Sequence, residues 1–165
     1  MPKSVSPIKT IDGRKVLDLE NYCTYYFAAI ANCVSRGASA LYLEKFGIGV
    51  VEWRCMVMLA LKEGVSAAHI SEISGVNKSL VSRSLAKLEE SKYVEDFHNS
   101  TKKKPRLLQL TPSGRALYEE VLTLALKREN ALRKGLSADE IRELIRMLKI
   151  LMQNALQLGG MESEC

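Results

Sequence analysis

The chain has 165 residues, 47% of them hydrophobic and 26% charged, with few Gly and Pro, which suits one helix-rich globular domain with extensions and is too short for two large domains. No run of about 18 apolar residues exists and the N-terminus, MPKSVSPIKTIDGRK, lacks an apolar leader, so a membrane-embedded or secreted protein is not expected and the cytoplasm is. The net charge of +5 is unevenly placed: residues 77–106 hold 8 basic against 4 acidic side chains, while the segments before and after are nearly balanced. A basic excess confined to one block points to a polyanion-binding surface, and the absence of a wide apolar face with Trp or Phe anchors beside it disfavours a membrane surface.

Residues 1–16 mix Pro, Ser, Gly and charge without a sustained period and read as an irregular arm. From about Asp18 to Phe46 apolar residues recur every three or four positions, predicting a helix of about 40 Å at 1.5 Å per residue. That exceeds what one small module can cover, so a second copy of the chain is the expected packing partner. Phe46-Gly-Ile-Gly ends this helix, and Val51–Leu61 begins another that carries Trp53, the single tryptophan.

Ser66 caps a short helix through Ile73, Gly75 supplies a turn, and Asn77 caps the helix NKSLVSRSLAKLEESKY. Leu80, Val81, Leu85 and Leu88 form its expected apolar stripe, leaving Lys78, Ser79, Ser82, Arg83 and Lys87 outside it. Short polar and basic side chains near a helix N-terminus can reach phosphates and base edges in a major groove. Helix, short turn, helix is the arrangement in which the second helix enters the groove and the first braces it. Tyr93–Phe97 and Arg106–Leu110 then read as two short strands joined by a basic tip, with Lys102, Lys103, Lys104 and Arg106 as further DNA contacts.

Thr111-Pro112 starts a helix to about Lys134. Ser137 and Glu140 make a capping box for a final helix, whose stripe of Ile141, Leu144, Ile145, Leu148, Leu151, Met152, Ala155 and Leu156 is apolar over four turns; residues 159–165 are expected to form a flexible tail. The predicted architecture is mainly α with a small β wing: a winged helix-turn-helix over residues 47–111, flanked by long dimerisation helices at 17–46 and 112–158.

With these elements placed, VEWRCMVMLAL, HISEISGVNKSLVSRSLAKLEESKYVE and RLLQLTPSGRAL together resemble the MarR family of transcriptional regulators, over about half the chain. The resemblance implies a homodimer on a palindromic double-stranded DNA operator, usually a repressor, released by a small molecule bound between the dimerisation helices and the DNA-binding lobe. It places recognition-helix contacts on Asn77, Lys78, Ser79, Ser82 and Arg83. The family's wing carries Asp-x-Arg at its turn; here those places hold Lys102 and Lys104, so more phosphate contact and less groove-shape readout are expected. Peroxide-sensing members carry a cysteine where this chain has Tyr25, with Cys23 two residues earlier and about 200° round the helix.

Tyr22, Tyr25, Tyr26, Arg36, Trp53 and Arg54 are candidate effector contacts. Aromatics with Arg suit an aromatic or acyl group bearing a carboxylate or phosphate, a CoA thioester included. Cys23, Cys33, Cys55 and Cys165 show no metal-ligand spacing, and no metal or cofactor is expected. Neither His69 nor His98 has a motif-spaced nucleophile or carboxylate, which argues against an enzyme. The competing readings are a cysteine-based redox-sensing regulator and a non-specific architectural DNA binder.

Overall fold

The computed structural model describes residues 6–97 and 106–162, with side chains to residue 158. Two compact units divide at Val121–Leu122. The first unit holds β1 (Ile8–Ile11), β2 (Arg14–Leu17), a short 3-10 turn (Leu19–Asn21), α1 (Cys23–Phe46), α2 (Val50–Leu61), α3 (Ala67–Ser74), α4 (Lys78–Glu90), β3 (Val94–Asp96), β4 (Leu108–Leu110) and the start of α5 (Pro112–Leu132); α6 (Ala138–Glu162) lies in the second.

The predicted mainly helical fold with a small β wing is what forms, with three departures from the expected elements. Residues 8–17, all but the last expected in an irregular arm, make an antiparallel hairpin in which Ile8 faces Leu17 and Ile11 faces Arg14. Its turn places Asp12 at φ 48° and Gly13 at φ 76°, the two successive positive values that a right-twisted two-residue hairpin turn requires. The long helix begins at Cys23 instead of about Asp18, because Asp18 works in the junction: its carboxylate accepts from Lys9 Nζ at 2.9 Å and from Asn21 Nδ2 at 2.7 Å. At the other end α6 runs to Glu162, past the Gly pair where a flexible tail was expected.

The core of the first unit is assembled from Cys55, Met56 and Leu59 of α2, Ile70 of α3, and Val81, Leu85 and Leu88 of α4. Val94 and Leu108 close it from the wing strands, and Ala38, Tyr42 and Val121 from α1 and α5. Val94 pairs with Leu110 and Asp96 with Leu108. Val65, just before α3, adds a third member to this small sheet through an antiparallel bridge to Leu108. In the second unit, Ser137 Oγ accepts from the Glu140 N–H while the Glu140 carboxylate accepts from Ser137 in return; these bonds hold the Glu140 carboxyl below its usual pKa.

Candidate nucleic-acid interface

The helix-turn-helix is built by local hydrogen bonds that the sequence carries in its short polar residues. Ser66 Oγ accepts from the His69 N–H at 3.2 Å and starts α3. Gly75 turns the chain at φ 64°, and Ser71 Oγ donates to the Val76 carbonyl at 2.7 Å, holding the turn against the helix it leaves. Asn77 Oδ1 then accepts from both the Ser79 N–H at 2.9 Å and Ser79 Oγ at 2.7 Å. Two of the polar groups proposed to meet DNA therefore also fix where the recognition helix begins.

On α4 the buried stripe is Val81, Ser84, Leu85 and Leu88, not the expected Leu80, Val81, Leu85 and Leu88. Leu80 is 38% exposed and Ser84 only 3%. The helix is rotated so that a serine enters the core, because its hydroxyl donates to Glu52 Oε1 of α2 at 3.3 Å. The consequence is a clean outer face: Ser79, Ser82, Arg83 and Ala86 lie opposite the stripe, with Lys78 and Lys87 at its flanks, all exposed. Arg83 Nε donates weakly back to the Ser79 carbonyl at 3.4 Å, laying the guanidinium along the helix.

The end of α4 is equally ordered. Tyr93 N–H donates to the Leu88 carbonyl and Lys92 N–H to the Glu89 carbonyl, both at 2.8 Å, with Lys92 at φ 61°. This pair of bonds terminates the helix and aims the chain into β3.

In the wing, Lys102, Lys103, Lys104 and His98 lie outside the described residues. Arg106, expected to reach DNA, pairs with two carboxylates while its side chain stays 56% exposed: its Nε donates to Asp96 Oδ1 at 2.6 Å and its terminal nitrogens donate to the Glu89 carboxylate, one of them at 3.0 Å. These bonds, Asp96 first, hold its pKa above the usual guanidinium range.

The proposed effector residues do not gather in one place. Tyr25 and Tyr26 are exposed near the start of α1, edge to face with ring centroids 5.3 Å apart, and Tyr22 caps the preceding turn. Arg36 is exposed in mid-helix, and Arg54 donates to Ser35 Oγ at 3.1 Å. Trp53 stands apart from the tyrosines of the helix start, packing edge-on to Tyr42 at 6.1 Å and stacking on Tyr118 at 5.3 Å. Ten residues of helix separate Tyr25 from Ser35, about 15 Å at 1.5 Å per residue.

Sequence reasoning does not reach Tyr42, Tyr118 and Arg115, whose guanidinium lies 5.8 Å over the Tyr118 ring; only pairing α2 with both α1 and α5 brings them to Trp53. Cys23 and Cys33 are exposed, whereas Cys55 is buried. Burial first, and the neighbouring Glu52 charge second, push the Cys55 thiol up to about 12, which removes it as a nucleophilic thiolate at neutral pH. Among the described residues no group of His, Cys, Asp and Glu could hold a metal ion, and no helix is long and apolar enough to cross a membrane.

A family model described as "MarR family" matches residues 46–97, from the end of α1 through β3. A solved MarR/EmrR family transcriptional regulator from Acinetobacter sp. ADP1 is 34% identical, superposes with a TM-score of 0.79, and is matched over 99% of its own length and 86% of this chain. The chain belongs to the MarR family. As a MarR protein it is a DNA-binding transcriptional regulator and not an enzyme. Other MarR structures share the fold. One is the S. aureus MepR–DNA complex, at 22% identity and TM-score 0.69, covering 82% of this chain and 98% of that one. Another is a Mycobacterium tuberculosis MarR protein in complex with salicylic acid, at 25% identity and TM-score 0.64, covering 79% and 96%. A search of curated protein sequences gives no match.

Proposed function

We propose that the protein is a homodimeric repressor that binds a palindromic operator through α4 and leaves it when a small aromatic carboxylate or related acyl compound binds. The observation that carries the DNA half is the outer face of α4: short polar and basic side chains, all exposed, on a helix whose inner face is locked into the core. Dimerisation is supported by α6, none of whose described side chains is buried although Leu144, Ile145, Leu148, Leu151, Met152 and Leu156 are large and apolar. A second copy is the partner that such an exposed stripe suits.

The effector reading rests on Trp53, Tyr118 and Arg115, a half-buried aromatic wall backed by the buried Tyr42, with a cation at its end. That combination suits a flat acid, and the M. tuberculosis relative is in complex with salicylic acid. Trp53 is the only tryptophan, so salicylate titrated into the protein is expected to change its emission saturably. A flat titration would remove this wall as the effector site.

Sequence reading is tested by selecting a site from random duplexes and then comparing it with a scrambled competitor. Ser82→Ala and Arg83→Ala are each expected to reduce the preference for the selected site by about 10-fold or more, the scale of one lost base contact. The combined Lys102→Ala, Lys103→Ala, Lys104→Ala variant should weaken selected and scrambled duplexes alike. Equal affinity of the wild-type protein for both duplexes would instead establish a non-specific architectural binder.

A further inference from the structure

The charged cluster at the root of the wing holds the Arg106 guanidinium between two carboxylates. Arg106 precedes β4, Asp96 ends β3, and Glu89 sits in the last turn of α4. The guanidinium lies among all three: Nε donates to Asp96 Oδ1 at 2.6 Å, and two further N–H groups grip the Glu89 carboxylate as a fork. The backbone pairing it accompanies is slight, three residue pairs between β3 and β4, and a ladder that short needs support from outside itself. Beside it Gln109 donates to Glu95 at 2.9 Å, a second cross-strand bond on the same stem.

The charge arithmetic agrees. Glu89 and Asp96 are carboxylates within the basic block that meets a polyanion, and each would repel phosphates if left bare. One planar fork with several donors can satisfy both at once, which a lysine point charge cannot do.

We propose that Arg106 is a positioning residue and not a DNA contact: its guanidinium bridges Glu89 and Asp96 and fixes the wing stem to the end of the recognition helix, so that the two meet the duplex in one geometry. This rests on the family's DNA binding, but the clamp itself exists in the free protein and can be tested there.

The experiment pairs amide hydrogen exchange of the DNA-free protein with duplex binding across a salt series, using a mixed-sequence duplex. The reporting amide is Phe97, whose N–H donates to the Leu107 carbonyl at 2.9 Å at the open end of the stem. Arg106→Lys keeps the charge and loses the fork. It is expected to speed Phe97 exchange and weaken duplex binding, each by ~5–10-fold, with the salt slope unchanged, as befits a partly exposed ion-pair network. Glu89→Gln with Asp96→Asn, which leaves Arg106 in place, should speed the same amide.

A phosphate contact predicts otherwise: Arg106→Lys stays at wild-type affinity, and Arg106→Gln lowers the salt slope by about 0.9. That pattern, or wild-type Phe97 exchange in Arg106→Lys, overturns the proposal. Failure of the wild-type protein to bind duplex would count against the DNA reading, while the exchange data would still decide the clamp.

Discussion

Gly114→Ala is expected to destabilise the first unit by about 3 kcal/mol, the upper end of what overpacking costs, and to lower the melting temperature by roughly 10 °C for a chain of this size. The reason is a backbone approach with no room for a methyl group: a Cβ at Gly114 would sit 1.9 Å from the Tyr93 carbonyl oxygen. That carbonyl cannot simply retreat, because it accepts the Thr111 N–H at 3.1 Å.

The surrounding bonds tighten the constraint. Thr111 Oγ1 donates to the Lys92 carbonyl at 2.7 Å and Ser113 Oγ to the same oxygen at 3.0 Å, while the Gly114 N–H donates to Thr111 Oγ1 at 3.0 Å. The first turn of α5 is thereby seated on the two residues that terminate the recognition helix. An added methyl must lever α5 away from Lys92–Tyr93, so DNA affinity should fall together with stability. Ser113→Ala, which removes one of two hydroxyls on the Lys92 carbonyl and adds no bulk, should cost only about 1 kcal/mol. Urea unfolding of the two variants beside the wild type measures both, and a Gly114→Ala midpoint within error of wild type would sink the argument.

Residues with local consequences were readable from the chain. Ser66, Asn77, Thr111 and Ser137 each bond the backbone two or three positions ahead, so the starts of α3, α4, α5 and α6 follow from neighbours in sequence. The N-terminal hairpin was equally local. Its Asp-Gly pair, with Ile8, Thr10 and Ile11 before it and Val16 after, is a strong turn signal, which the Pro, Ser and charge of the same stretch mask when composition alone is read.

What stayed hidden depends on residues far apart in the chain. Ser84 enters the core only because Glu52, 32 positions earlier, offers an acceptor; periodicity assigns serine to the surface and so put Leu80 in the stripe. Arg106 is one more cation of the basic block in sequence, and only the fold sets Glu89 and Asp96 around it. Residue type alone groups Trp53 with the tyrosines of the helix start, yet its partners come from the far end of α1 and from α5. The family resemblance supplied the DNA-binding role and its helix. It could not supply these pairings, which belong to this chain's own side chains.

Glu52→Ala is the second substitution with a large expected effect, about 2–4 kcal/mol, made of a lost helix cap and a stranded buried hydroxyl. Glu52 Oε2 accepts from the Gly49 N–H at 3.0 Å at the start of α2, and Oε1 accepts from Ser84 Oγ. With Ser84 only 3% exposed, its O–H has no water to turn to when the carboxylate is removed. Ser84→Ala in the Glu52→Ala background should therefore recover about 1 kcal/mol or more, a coupling that a double-mutant cycle reads directly. Glu52→Gln keeps an acceptor and should lose less than half as much. The effect should reach function, because Ser84 lies on the inner side of α4 behind Ser82 and Arg83, and Glu52 is the polar tie between that helix and α2. Loosening it is expected to weaken preference for a selected site more than affinity for scrambled duplex, since phosphate attraction tolerates a tilted helix and base contacts do not. Strictly additive single and double mutants would show instead that the 3.3 Å contact contributes nothing, and that Glu52 serves α2 alone.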